Sequence, residues 1–223
     1  MNRILMACSL SAVALVVSSA AFAEEAAPAA NESATGSVNA ADAVGDKKIV
    51  LGLRLGYGLP MGNETEGAAL SDRVSGMIPI WLDLGYMVTP NIMVGAYGQY
   101  GFASVKNCPS GSDCSAHDLR FGVQGQYLVS PGEQLDPWFG LGIGYESLAG
   151  SVDGTDGSMS GLEFANLQAG LDYAVMPDLG VGPFLSMSFG QYSSQTMDGD
   201  SSDISQTALH EWLTLGLRGA FRL

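Results

Sequence analysis

Basic side chains are scarce in this sequence. Nine Lys and Arg stand against 23 Asp and Glu, for a formal net charge of −14. A chain so poor in cations has no electrostatic footprint for a phosphate backbone, which argues against nucleic acid as a partner. The same shortage argues against simple attraction to anionic lipid head groups. Histidine is nearly missing too, with only His117 and His210. Long apolar runs are absent. The best candidate, residues 4–17, is interrupted by Cys8, Ser9 and Ser11. It also falls short of the ~20 residues that a spanning helix needs.

That stretch instead has the layout of a secretory signal. Arg3 supplies the positive start, residues 4–17 the apolar middle, and Ala21-Phe22-Ala23 a small-x-small cleavage site. We expect cleavage after Ala23 and export. Three segments follow: a signal peptide (1–23), a flexible periplasmic N-terminal tail (24–47) and one folded unit (48–223). The tail is rich in Ala, with Glu, Asn, Ser and Gly interspersed, and shows no periodicity. Cleavage removes one basic residue and no acid, so the net charge deepens to −15.

Cysteine is the third shortage. Of three, Cys8 lies in the signal, which leaves Cys108 and Cys114 around a short polar loop. In an exported protein this spacing predicts a disulfide. A metal site would need more ligands than two thiols and the nearby His117.

What the sequence does have is alternation. Ile49, Leu51, Leu53, Leu55, Tyr57 and Leu59 form one face of the first segment, opposed by Val50, Gly52, Arg54, Gly56 and Gly58. A period of two is the strand signature. The split recurs seven more times, for example Phe139, Leu141, Ile143 and Tyr145 against Gly140, Gly142, Gly144 and Glu146. In a soluble barrel the second face would meet water and carry Lys, Glu and Thr. Here it is mostly Gly, Gln and Ser with isolated charges, the composition of a cramped polar interior. The apolar face therefore points to lipid, and the small residues leave room for Arg54, Trp81, Tyr97 and Arg120 inside. The expected fold is all-β, an eight-stranded antiparallel up-and-down transmembrane β-barrel.

Connections agree with this. Short turns at 89–91, 130–136 and 176–178 alternate with longer polar loops at 60–76, 104–116, 147–161 and 191–207. Transmembrane barrels of the bacterial outer membrane place short turns in the periplasm and long loops outside. Tyr57, Tyr100, Phe102, Tyr145 and Phe189 then fall near the outer rim. Tyr86, Tyr127, Phe139, Tyr173 and Phe221 fall near the periplasmic one, as two aromatic girdles.

With these residues in place, the chain resembles the small outer-membrane β-barrel family that includes OmpX-like proteins and the transmembrane domain of OmpA. The resemblance is carried by the run from Pro137 to Glu146 and by the alternating last strand ending Phe221-Arg222-Leu223. It covers residues 48–223 and marks a fold and an assembly route, not an activity. It implies outer-membrane localisation and, as partners, the barrel-assembly machinery, outer-membrane lipids and lipopolysaccharide.

The interior charges are the first candidates for function. Arg54, Asp83, Asp172 and Arg218 all project inward by alternation, between mid-barrel and the periplasmic end, and buried charges need partners. A lumen salt-bridge network, structural or gating, is expected among them. Chemistry finds little support. His117 and His210 read as hydrated rim residues with no nucleophile fixed beside either, so the lipid A-modifying activity of some such barrels is not expected. Asp198, Asp200 and Asp203 are oxygen-rich, but as a calcium loop the sixth position would be Asp203 and the twelfth Leu209, which fails the pattern. Divalent ions bridging such acids to lipopolysaccharide phosphates remain an expectation. We expect no catalytic residue, cofactor or resident metal. The favoured reading is a non-enzymatic barrel contributing to envelope integrity or to surface interaction through acidic loops and an external ligand. The alternative is a small passive pore with a charged, glycine-rich lumen.

Overall fold

The computed structural model describes residues 48–223, so the expected signal and tail lie outside it. Long antiparallel strands run in chain order as β1 (Ile49–Thr65), β2 (Val74–Met87), β3 (Ile92–Val105) and β4 (Cys114–Leu128). They continue as β5 (Leu135–Val152), β6 (Thr155–Met176), β7 (Leu179–Met197) and β8 (Leu209–Arg222). Each pairs with its sequence neighbours. The sheet closes where β8 meets β1, from Val50 opposite Arg222 to Gly62 opposite His210. Closure leaves no free edge through the wall, the condition for crossing a bilayer with strands.

Alternation dictates the wall. Leu53, Leu82, Val123, Leu141 and Leu215 stand on the exposed side, and Trp81, Gln99, Gln124 and Ser186 on the buried one. The usual inside-out rule is inverted, as expected. The aromatics expected at the two rims stand on the exposed side, Phe189 only in part, and Tyr100 packs edge to face on Phe102.

The wall is uneven in height. A tilted strand crosses a bilayer in ~9–11 residues, whereas β6 has 22 and β7 has 19. Two of the expected loops, 147–161 and 191–207, are therefore largely strand. Their tips are two-residue turns, Asp153-Gly154 (φ 50° and 83°) and Asp198-Gly199 (φ 50° and 90°). Positive φ at both central residues is the hairpin turn that Asp-Gly favours, because its twist matches that of the strands. A further short strand, Asp200–Asp203, extends this sheet along β7. On the opposite side, a one-turn helix, α1 (Leu70–Arg73), folds Leu70 into the outer mouth.

The interior is layered. An apolar cluster of Val50, Met87, Met93, Leu128, Trp138, Phe184 and Ala220 fills the periplasmic half. A second cluster, Leu70, Val74, Met77, Leu148, Tyr192 and Trp212, fills the outer mouth. Between them lie the buried polar and charged side chains. Small residues make the room: a Cβ at Gly170 would sit 2.5 Å from the Trp138 indole, and one at Gly144 2.5 Å from the Tyr97 hydroxyl.

Candidate functional site

The expected lumen charges come together as two pairs linked by an aromatic. Arg54 on β1 donates from Nε to Asp83 Oδ2 at 2.7 Å and from Nη2 to Asp83 Oδ1 at 2.9 Å. Nη1 donates to Gln168 Oε1 at 2.9 Å, and Gln124 Nε2 donates to Asp83 Oδ1 at 2.7 Å. The guanidinium also lies 4.6 Å from the Trp81 ring, 5.3 Å from Trp138 and 5.5 Å from Phe184. Nearer the periplasm, Arg218 faces Asp172 at 3.6 Å and lies 4.1 Å over Trp138, whose Nε1 donates to Asp172 Oδ1 at 3.2 Å. At the rim, Arg222 meets Asp136 at 3.5 Å. A buried charge needs matched donors and acceptors; Arg54 and Asp83 have them, whereas Arg218 Nε has no hydrogen-bond partner among the described residues.

A second cluster sits in the outer half. Arg120 on β4 is its centre, with Asp118 at 2.8 Å, Glu146 at 3.2 Å and Glu163 at 3.5 Å. Ser188 accepts from its Nη1 at 2.7 Å, and the Trp212 ring lies 5.4 Å away. Glu146 accepts from the Tyr192 hydroxyl at 2.6 Å and from Trp212 Nε1 at 3.1 Å. Glu163 accepts from the Tyr97 hydroxyl, and from Asn166 Nδ2 at 2.8 Å. Alternation places Arg120 and Glu146 inside, but the four-way convergence with Asp118 and Glu163 is not visible in the sequence.

His210 corrects its expected place. It is buried, not a hydrated rim residue, with its ring stacked on Tyr192 at 4.0 Å and Nε2 3.0 Å from Glu146 Oε2. The reason is that β8 begins at Leu209, so His210 is the first inward position and meets an acceptor. A carboxylate only accepts, which puts the proton on Nε2. His117 stays on the exposed outer surface, its ring stacked on Tyr100 at 5.6 Å. The two imidazoles thus lie on opposite faces of the wall and cannot act together.

Outside the lumen, Cys108 and Cys114 form a disulfide. Asp200 and Asp203 occupy opposite ends of a four-residue strand, both exposed, so the acidic run does not converge on a point. Among the described residues no three His, Cys, Asp or Glu side chains are placed to hold a metal ion. The outer surface carries exposed Glu66, Asp72, Asp113, Asp153, Asp156, Asp198, Asp200 and Asp203 against exposed Arg73 and Lys106. Those two cations are already engaged: Arg73 pairs with Glu64, and Lys106 Nζ donates to the Ser71 carbonyl at 2.9 Å.

Comparison with solved structures places the fold. The chain is similar to Neisserial surface protein A, with a TM-score of 0.51 and 10% identity over 76% of this chain and 95% of that one. Weaker likenesses include OprG of Pseudomonas aeruginosa (TM-score 0.45, 14% identity, 81% and 99% covered). Another is Ail, the attachment invasion locus protein of Yersinia pestis (TM-score 0.45, 14% identity, 78% and 99% covered). No protein-family model matches the chain, and neither does any curated protein sequence. The fold is that of a small eight-stranded outer-membrane barrel.

Proposed function

We propose that this is a closed, non-conducting barrel of the outer membrane, without enzymatic activity, that presents acidic hairpins to the outside. The observation that carries the reading is the filled lumen. From Val50 and Trp138 through Arg54, Trp81 and Phe184 to Arg120, Trp212 and Leu70, every level holds side chains no more than 3% exposed. A passive pore needs a continuous water path. Arg54 and Asp83 share two hydrogen bonds, and Arg120 lies within 3.5 Å of three carboxylates, which suits a structural plug better than a gate. Eight-stranded barrels also have interiors that side chains just fill.

The functional surface is then the outer one. Its hairpins stand above the bilayer on stiff ladders, are negatively charged and are flanked by a stapled loop. Such a surface suits a cationic partner, or an anionic one bridged by divalent ions, in either surface interaction or envelope integrity. Lipopolysaccharide and the barrel-assembly machinery remain the proposed envelope partners.

Planar-bilayer recording of the refolded chain tests this, after heat-modifiable gel migration has confirmed folding. We expect a silent bilayer. Discrete, reproducible openings that change on neutralising Arg54 or Asp83 would instead establish the pore and make the lumen charges a gate.

A further inference from the structure

We propose that the outward face of the β4–β7 extension carries a groove for an uncharged sugar ring of a glycolipid in the same leaflet. The inference rests on the outer-membrane placement proposed above, but not on the closed lumen.

Strand pairing builds the groove. Ser115 lies opposite Ser151, and Ser151 opposite Asp156. One step nearer the membrane, His117 lies opposite Ala149, Ala149 opposite Ser158, and Ser158 opposite Thr196. Counting by two from lipid-facing Leu119 and Phe121 keeps both rows on the outward side. The residues of these rows line a groove of about 370 Å³. That volume lies within the ~300–1,000 Å³ usual for small-ligand sites.

The lining selects the ligand class. Hydroxyls both donate and accept, as sugar hydroxyls do, and one carboxylate, Asp156, can accept from two neighbouring hydroxyls at once. The Ser115, Ser151 and Ser158 hydroxyls have no protein partner among the described residues, whereas that of Thr196 is shared with Ser201 at 2.9 Å. No Lys or Arg lines the groove and Asp156 is its one carboxylate, so a phosphate or sulfate finds no fixed cation there to balance it. An acyl chain would strand the hydroxyls.

Height selects the source. His117, at the groove's lower end, stacks on Tyr100, and the Tyr145 hydroxyl donates to Ser160 Oγ at 2.9 Å just beneath. Aromatics of this kind mark the edge of the apolar band. At ~3.3 Å per residue, the two rows stand within about 10 Å of that edge, the depth of a lipid head group. A groove so open is a weak site for a free sugar. A sugar anchored in the same membrane reaches it at an effective concentration of order millimolar.

The test uses the chain lacking residues 1–23, refolded into phosphatidylcholine nanodiscs with or without glucosyl- or galactosyl-diacylglycerol. Insertion is confirmed by heat-modifiable migration. Amide NMR shifts are expected at 115–117, 149–151 and 156–158, saturating with the mole fraction of at least one glycolipid. They should vanish in Ser158→Trp, whose indole fills the groove while the rest of the spectrum stays unchanged. Methyl glucoside and methyl galactoside, free at the same total concentration, should leave the spectrum still. An inserted barrel with no localised shifts overturns the groove, as do shifts that persist in Ser158→Trp. Equal shifts from the free sugars overturn the membrane-anchored source. A chain that does not insert at all overturns the outer-membrane reading instead.

Discussion

Arg54 holds Asp83 at both carboxylate oxygens, through Nε at 2.7 Å and Nη2 at 2.9 Å, and neither side chain is exposed. Two parallel charge-assisted bonds fix orientation as well as energy. Removing one partner should therefore hurt far more than removing both. Asp83→Asn leaves the guanidinium uncompensated among Trp81, Trp138 and Phe184, at a cost of about 3–5 kcal/mol. Urea unfolding from lipid vesicles should show that loss, and Arg54→Met with Asp83→Leu should recover most of it. If Asp83→Asn unfolds at the parental midpoint, the pair is not structural.

Two glycines on neighbouring strands separate backbone crowding from simple residue preference. A Cβ at Gly182 would fall 1.6 Å from the Leu171 carbonyl oxygen, an atom that cannot turn away, whereas one at Gly219 meets nothing within 4 Å. We expect Gly182→Ala to lose about 1–3 kcal/mol or more, and Gly219→Ala to stay within about 0.5 kcal/mol of the parent. The readout is the same urea midpoint, and equal effects would refute the assigned register between β6 and β7.

The outer mouth should open when its plug is trimmed. Leu70 is fully buried against Val74, Met77, Leu148, Tyr192 and Trp212. Leu70→Ala removes about 2–5 kcal/mol of packing, most of it local to α1 and the outer rim. Acrylamide quenching of tryptophan fluorescence should rise while heat-modifiable migration persists. Unchanged quenching would mean that the mouth is sealed by something other than this residue.

The disulfide has a narrower task. Cys108 and Cys114 are six residues apart, with Cys108 exposed and Cys114 at the start of β4. Closing so short a loop constrains only that loop. Replacing both by Ser should leave the urea midpoint of the barrel in place and expose residues 107–113 to protease. A barrel that fails to fold without the bridge would contradict this.

Sequence alternation revealed the wall because each lipid-facing residue must be apolar and each lumen residue small or paired. Arg54, Asp83, Asp172 and Arg218 were legible for that reason. Glu163 was not. A register shift between Glu163 and Ala165 puts Glu163 and Asn166 inside and Phe164 outside, so a strict count of two from Asn166 assigns Glu163 the wrong face. Asp118 escaped because it lies inward just beyond Leu119, the last apolar residue of the outward face of β4, where His117 and Ser115 follow.

The outer hairpins were illegible for a different reason. Above the bilayer both faces of the sheet are wet or lightly packed, and Ser, Gly and Asp replace the apolar positions on which period two depends. Asp153-Gly154 and Asp198-Gly199 were the available signal, since Asp-Gly dictates a two-residue hairpin even when the flanking strands are polar.

The seam has a consequence for the order of events in folding. Across it, Arg54 lies directly opposite Arg218, and like charges at opposed positions repel. Their countercharges come from elsewhere in the wall, Asp83 on β2 and Asp172 on β6, and Trp138 on β5 lies within 5.3 Å of both guanidinium groups. Were β8 to meet β1 before β2, β5 and β6 were in position, two cations would be pressed together in an apolar setting with nothing between them. Closure becomes favourable only once the intervening hairpins have curled round, so premature joining of the first and last strands is disfavoured by the same residues that later pair inside the lumen.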